Sequence, residues 1–409
     1  MANALDHRAR RSRWQGTSMG SITLDLKPGL ALGPFTLGIP ICEAFAYIEQ
    51  NPSIYDVVHV KYHDEEPLML DLVVSFPDHG FHLRFESSSQ RLRLIEVFDV
   101  QRLQMRYANS FIGGPNTLAT FVAVYAVCGP TFPGSYDVDR GMYTLFYPGL
   151  SFAFPIPPLY KDYLLDRKAE LPLEFPDGTT PVTSRVCIYD KSSGSNIGVG
   201  VGALLKKAVP PPLPVGSLYM EVVHAKLDKE IWFTVGGQHI PFGASPQDVW
   251  SELGIPCGIH QKQVDQMMIH SALDARPKTT MCRDYFYNYF TRGLDILFDG
   301  QTHKIKKFVL HTNFPGHADF NSYIKCNFMI QCPPSFTEQE EANTHEHCIT
   351  SNTKWSQVQE LLGDAGRAAI QTQGSTINPF GSTFVYGYRN IAFEVMRNGH
   401  IATVTLFQS

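Results

Sequence analysis

The sequence predicts an α+β protein: sheet-rich, built of repeated modules of one helix plus antiparallel strands, and arranged as two halves. Three observations predict this. The chain has 409 residues, of which 12% are aromatic (27 Phe, 18 Tyr), with 32 Gly and 28 Pro as turn formers; that mixture favours sheets with many turns over a helical bundle. A strand motif, glycine followed by alternating apolar residues, recurs as GFHLRF at 80–85, GLSFAF at 149–154 and GLDILF at 293–298. A Gly/Ser-rich stretch running into PPPLP at 210–214 divides the copies in two pairs.

The elements follow in order along the chain. Residues 1–19 read as a disordered basic tail carrying Arg8, Arg10, Arg11 and Arg13. A transit peptide is the alternative reading, since no apolar run follows the arginines as a signal peptide requires. Residues 20–190 form an N-terminal half of two modules. In the first, Pro40 to Gln50 is a helix, followed by strands over 72–76, 81–85 and 92–97. In the second, Thr117 to Cys128 is a helix closed by Gly129-Pro130, with strands over 143–147 and 150–154. Its run Leu118 to Cys128 is the most apolar in the chain and reads as a buried helix. At 11 residues it is too short for the roughly 20 that a membrane span needs.

Residues 191–216 read as a Gly/Ser/Pro linker, and 217–409 as a C-terminal half of two further modules. Ser245 is placed to N-cap a helix with Pro246 at its first position. Gly254 ends that helix with a left-handed residue, and Pro256 prevents resumption. Strands follow over 285–290, 294–298 and 305–310, with Asp299-Gly300 as a hairpin signal. The last module has a helix over 356–362 closed by Gly363, then strands over 383–386, 391–395 and 401–407. Tyr388 stands in the fourth copy where the others have glycine. Residues 333–352 read as a mobile polar loop. In the repeated strand the alternation predicts one buried face and one face carrying His82, Arg84, Ser151 and Asp295.

Charge and chemistry narrow the function. A net charge of −5 argues against holding nucleic acid by bulk charge. The eight cysteines form no CxxC pair and read as reduced thiols. Neither a Walker A motif, an HExxH motif nor a GxSxG elbow appears. GVGVG at 198–202 lacks the strand and spacing of a dinucleotide loop and reads as linker. His345, His347 and Cys348, with Cys326 and Cys332, lack metal-site spacing and read as polar loop. His303 and His311 with Asp284, Asp295 and Asp299 read as a solvated hairpin face. PPPLP is a rigid spacer or a polyproline ligand. Trp232 to Val235 alternates like a buried strand. Lys304, Lys306 and Lys307, beside His303 and His311, form a basic patch suited to an anionic membrane, or an edge strand protected by lysines. No catalytic, cofactor or metal residue is assigned.

The segment DYFYNYFTRGLDILFD at 284–299 continues as THKIKKFVLHTNFPGHADFN at 302–321. With NPFGSTF at 378–384, FTLGIP at 35–40, QRLRLIEVFD at 90–99 and PGLSFAFPIP at 148–157, it resembles the phagophore assembly factor 1 family from about residue 20 to the end. The resemblance implies a non-enzymatic cytoplasmic adaptor of macroautophagy without cofactors. It implies a WD40 β-propeller partner at phosphoinositide-bearing membrane, at preautophagosomal structures where autophagosomes form. The alternative is a trafficking protein that binds anionic Golgi or endosomal membranes directly. The family supplies no catalytic or partner-binding residues that transfer to positions here.

Overall fold

The computed structural model describes residues 22–164, 170–192, 201–262, 283–331, 348–363, 366–371 and 382–408. The chain divides into two compact units between Pro212 and Leu213. Each is an α+β unit with one five-stranded and one eight-stranded sheet.

In the N-terminal unit, β1 (Thr23–Lys27), β2 (Ala31–Leu32) and β3 (Phe35–Thr36) precede α1 (Ile41–Gln50). The meander β4 (His59–Lys61), β5 (Leu72–Phe76), β6 (Phe81–Phe85), β7 (Leu92–Val97) comes next. Then come β8 (Gln104–Tyr107), β9 (Ser110–Ile112) and α2 (Phe121–Cys128). A second meander holds β10 (Ser135–Asp137), β11 (Met142–Tyr147), β12 (Leu150–Pro155) and β13 (Arg185–Tyr189), followed by α3 (Val201–Lys207).

The C-terminal unit repeats the plan. It runs β14 (Val223–Lys226), β15 (Glu230–Phe233), β16 (His239–Pro241), α4 (Pro246–Leu253), then β17 (Gly258–Gln261), β18 (Tyr285–Tyr289), β19 (Leu294–Phe298), β20 (Ile305–His311). It continues β21 (Phe328–Gln331), β22 (Cys348–Thr350), α5 (Trp355–Leu362), then β23 (Ala369–Gln371), β24 (Thr383–Tyr388), β25 (Ile391–Val395), β26 (Ile401–Phe407).

The sheet orders coincide. The small sheets run β3-β2-β1-β8-β9 and β16-β15-β14-β21-β22, and the large ones β10-β11-β12-β13-β7-β6-β5-β4 and β23-β24-β25-β26-β20-β19-β18-β17. In each unit the two four-stranded meanders meet on their last strands, antiparallel. Each small sheet adds one parallel pair, β1 with β8 and β14 with β21, to the antiparallel pattern that the sequence predicts. In the C-terminal unit both sheets, α4 and α5 share one apolar core, through residues such as Phe233, Val249, Ile296, Phe308, Phe328, Val358 and Phe393.

Several details differ from the sequence reading. The outer face of the large sheet is covered too: Ser151 and Asp295 are buried, because each finds polar partners there. Strand register aligns Asn390, not Tyr388, with Gly80, Gly149 and Gly293. Gly129, Gly254 and Gly363 all close their helices at φ near +80° but ψ near ±170°. That region is extended rather than left-handed helical, and glycine alone enters it readily.

The segment 191–216 is not linker throughout. Val201, Leu204 and Ala208 recur at helical spacing, so α3 packs them on Leu94, Ala153, Cys187 and Tyr189 of the sheet. Gly198 to Gly200 lie outside the described residues. Within 333–352, Cys348–Thr350 is a strand paired with β21, since Ile349 has a buried place beside Ile330. Thr120 caps α2 by accepting from the Ala123 N–H, so that helix starts at Phe121 rather than Thr117. The six described cysteines are free thiols, and no described helix is long and apolar enough to cross a membrane.

Candidate functional site

The His/Asp group of the sequence reading separates into two environments. His303 stays on the hairpin surface, where the Tyr285 hydroxyl and its Nδ1 lie 2.9 Å apart. His311 and Asp295 do not form a solvated face. Asp295 is 7% and His311 6% exposed, and His311 Nε2 donates to Asp295 Oδ2 at 2.9 Å. The Tyr323 hydroxyl donates to the same carboxylate at 2.8 Å, and its ring stacks on His311 at 3.7 Å. Asn288 Nδ2 donates to Asp295 Oδ1 at 2.7 Å, and Asn288 Oδ1 accepts from His260 Nδ1 at 2.6 Å. Next to it, Glu394 accepts from Thr383 (2.7 Å), Thr403 (2.8 Å) and His317 (3.2 Å).

This polar row crosses β17, β18, β19, β20, β26, β25 and β24 under the 312–327 segment that carries His317 and Tyr323. A cavity of about 240 Å³ opens beside it, lined by His311, Asp319, Glu394 and Thr403 among others. Burial opposes ionisation of Glu394, but the His317 contact and the two threonine hydroxyls outweigh it and hold its carboxyl down to about 2. Burial likewise opposes a charge on His317, yet Glu394 and Asp319 raise its pKa. Tyr323 is pushed up by burial and by the Asp295 charge. Both threonine hydroxyls are committed to Glu394, so neither is poised as a nucleophile. The network's chemistry is to pin a surface segment onto a sheet.

Lys304, Lys306 and Lys307 sit at the start of β20. Lys304 is exposed. Lys306 bridges Asp284 (3.1 Å) and Asp299 (2.9 Å), and Lys307 lies over the Phe407 ring. Asp299 accepts the Gln301 and Thr302 N–H groups of the turn, which with Lys306 lowers its pKa strongly. Cys326 is buried and Cys348 is on β22, while Cys332, His345 and His347 lie outside the described residues. Pro211 of PPPLP is fastened: its carbonyl accepts from Arg91 at 2.8 Å. Trp232 lies on β15 between buried Ile231 and Phe233, stacked on His224 at 4.0 Å.

The surface that stands out is one the sequence reading buried. Phe121 and Val124 of α2 face the core, Phe121 edge-on to Phe154 at 5.7 Å. On the other side Val122 and Tyr125, one helical turn apart, are each 44% exposed, and Leu118, just before the helix, is 57% exposed. The fold supplies its own control. The helices α2, α4 and α5 have eight residues each and a closing glycine, so positions correspond. Val124, Val249 and Val358 are the shared buried valine. Where α2 shows Val122 and Tyr125, α5 shows Ser356 and Gln359, and α4 shows Gln247 and Trp250. A helix apolar all round belongs inside a larger body; α2 is half covered.

The model of the family described as "Phagosome assembly factor 1" matches residues 31–407. A PHAF1 protein of Arabidopsis thaliana is 72% identical over 399 residues, covering 98% of this chain and 96% of that one. A PHAF1 protein of Drosophila melanogaster is 35% identical, covering 95% and 94%. One of Caenorhabditis elegans is 30% identical, covering 91% and 90%. No solved structure matches.

Proposed function

The chain belongs to the phagosome assembly factor 1 family, and from that premise we propose that it is a non-enzymatic adaptor of macroautophagy. In this reading it works with a WD40 β-propeller partner and is recruited to phosphoinositide-bearing membrane at preautophagosomal structures. The family is named for assembly, not for a reaction. The observation that carries the adaptor reading is the exposed apolar face of α2. An adaptor works through a surface that a partner desolvates, and exposed aliphatic and aromatic side chains on a rigid helix are suited to that. The expected partner meets Leu118, Val122 and Tyr125.

The test is affinity capture of the tagged full chain from its own cells during autophagy induction. A WD40 protein that co-purifies with the wild type and is lost from Val122→Ser/Tyr125→Gln supports the reading. Capture that the double substitution leaves unchanged removes α2 from it, and the absence of any WD40 protein removes the partner. Liposome flotation of the purified chain alone, abolished in Lys304→Ala/Lys307→Ala, would instead favour direct binding to anionic Golgi or endosomal membranes.

A further inference from the structure

Among the described residues the duplicated plan has one added helix, α3, which has no counterpart in the C-terminal unit. It packs Val201, Leu204 and Ala208 on the outer face of the large sheet. Arg93 of β7 fixes its end, donating to the Leu205 and Ala208 carbonyls at 2.5 Å while paired with Asp71. Arg140 lies across Gly202, where a Cβ would meet the guanidinium at 2.7 Å.

Between α3 and β4–β5 lies a groove of about 680 Å³. Six Lys and Arg side chains line it against two carboxylates, Asp71 and Glu86. Arg93 is committed to Asp71 and Arg84 to Glu96, and Arg140 is 3.9 Å from Asp137. Lys61, Lys206 and Lys207 make no ion pair among the described residues and converge on the groove from two elements. In a chain of net charge −5 that is a local reversal of sign. Half-buried His82 on β6 is pushed down to about 4 by burial first, with the charges of Arg84, Lys61 and Arg185 adding to it against the pull of Glu96.

We propose that this groove binds a compact ligand carrying clustered phosphates, an inositol polyphosphate either free or as a lipid headgroup. Unpaired ammonium groups on flexible stems suit several phosphates at once. The volume fits a small molecule rather than a polymer. Met69 and Leu70 on the rim, 72% and 58% exposed, are placed to enter the bilayer boundary if the phosphates belong to a lipid.

Calorimetric titration of the full chain with inositol hexakisphosphate tests it. Wild type binds, and affinity falls as salt rises. Lys206→Ala/Lys207→Ala, both on the surface, keeps the melting temperature and loses about tenfold or more in affinity. Lys304→Ala/Lys307→Ala, in the other unit, changes nothing. Vesicles with 5% phosphatidylinositol bisphosphate in phosphatidylcholine separate the sources. Binding that Met69→Ser/Leu70→Ser weakens assigns a lipid headgroup; soluble binding without vesicle binding assigns a free ligand. No binding to either probe overturns the proposal, as does loss confined to the Lys304/Lys307 variant.

Discussion

In the C-terminal unit the imidazole of His317 donates from Nε2 to Glu394 Oε1 at 3.2 Å, and both side chains are buried. The pair is an internal clasp between the 312–327 segment and β25. Its pH dependence has a definite sign. His317 is raised above its ordinary 6.5, so its contribution is complete below 6.5 and lost as pH rises through the folded value. Glu394 is lowered from 4.5 to about 2, so its contribution is complete above 4.5 and lost as pH falls toward 2. The clasp is therefore strongest between about pH 4.5 and 6.5. Thermal melts from pH 6 to 9 should show wild type losing stability that His317→Gln does not have to lose. Parallel curves would refute the assignment. Glu394→Ala, which leaves the buried imidazolium only the more distant, exposed Asp319 at 4.0 Å, should cost about 3 kcal/mol.

A second ion pair occurs twice. Asp71 directly precedes β5 and bridges Arg93 on β7; Asp284 directly precedes β18 and bridges Lys306 on β20. Strand pairing puts Arg93 and Lys306 at the same position, one after Leu92 and Ile305. The two pairs should differ in weight. Arg93 and Asp71 are 8% and 14% exposed, and Arg93 also holds two carbonyls of the α3 end. Arg93→Ala should cost about 3 kcal/mol. Lys306 is 43% exposed, and solvent screening limits Lys306→Ala to about 0.5 kcal/mol. Urea unfolding of both variants checks the contrast, which equal losses would contradict.

The modules, the helix caps and the alternating strands were legible because each has a local signature. Ser245 does cap α4, in a full capping box with Asp248. The small sheets were not legible, since β2 and β3 have two residues and β9 three, too short for alternation to register. The α3 helix is hidden by glycines before it and prolines after it. The Asp295–His311 contact depends on pairing: Asp295 faces Val309, which brings His311 into diagonal reach. A register shift at Leu297/Phe298 and a turn longer than two residues break simple counting from Asp299-Gly300. Composition alone assigns an all-apolar helix to the interior, so the open face of α2 had no sequence signal beyond its contrast with α4 and α5.

The glycine that opens the repeated strand is a steric requirement. Gly80, Gly149 and Gly293 have φ of +73°, +75° and +63°. A Cβ would come within 2.5 Å of the Asp99 carbonyl, 2.3 Å of the Gly29 backbone and 2.3 Å of the Ile324 carbonyl respectively. Backbone cannot swing aside as a side chain can. Gly293→Ala should therefore leave little folded protein. Gly254 has φ +78° with nothing within 4 Å of a Cβ, so Gly254→Ala meets only backbone strain of about 1–3 kcal/mol. Soluble yield and melting temperature of the two variants separate these causes, and comparable behaviour would show that crowding is not what selects glycine at 293.

On α2 the prediction separates folding from recognition. Val122 and Tyr125 are each 44% exposed beside the core that Phe121 and Val124 fill, so replacing them by the α5 residues, Val122→Ser and Tyr125→Gln, removes little core packing beyond the Tyr125 ring contact with Phe121 at 6.1 Å. Each substitution should change stability by no more than about 0.5 kcal/mol. The exposed apolar surface, by contrast, shrinks where it is most concentrated. Binding of an apolar fluorescent dye should fall and solubility rise while the melting temperature holds. A large drop in melting temperature would mean that these two side chains support the fold, and the partner surface would then have to be sought on another face.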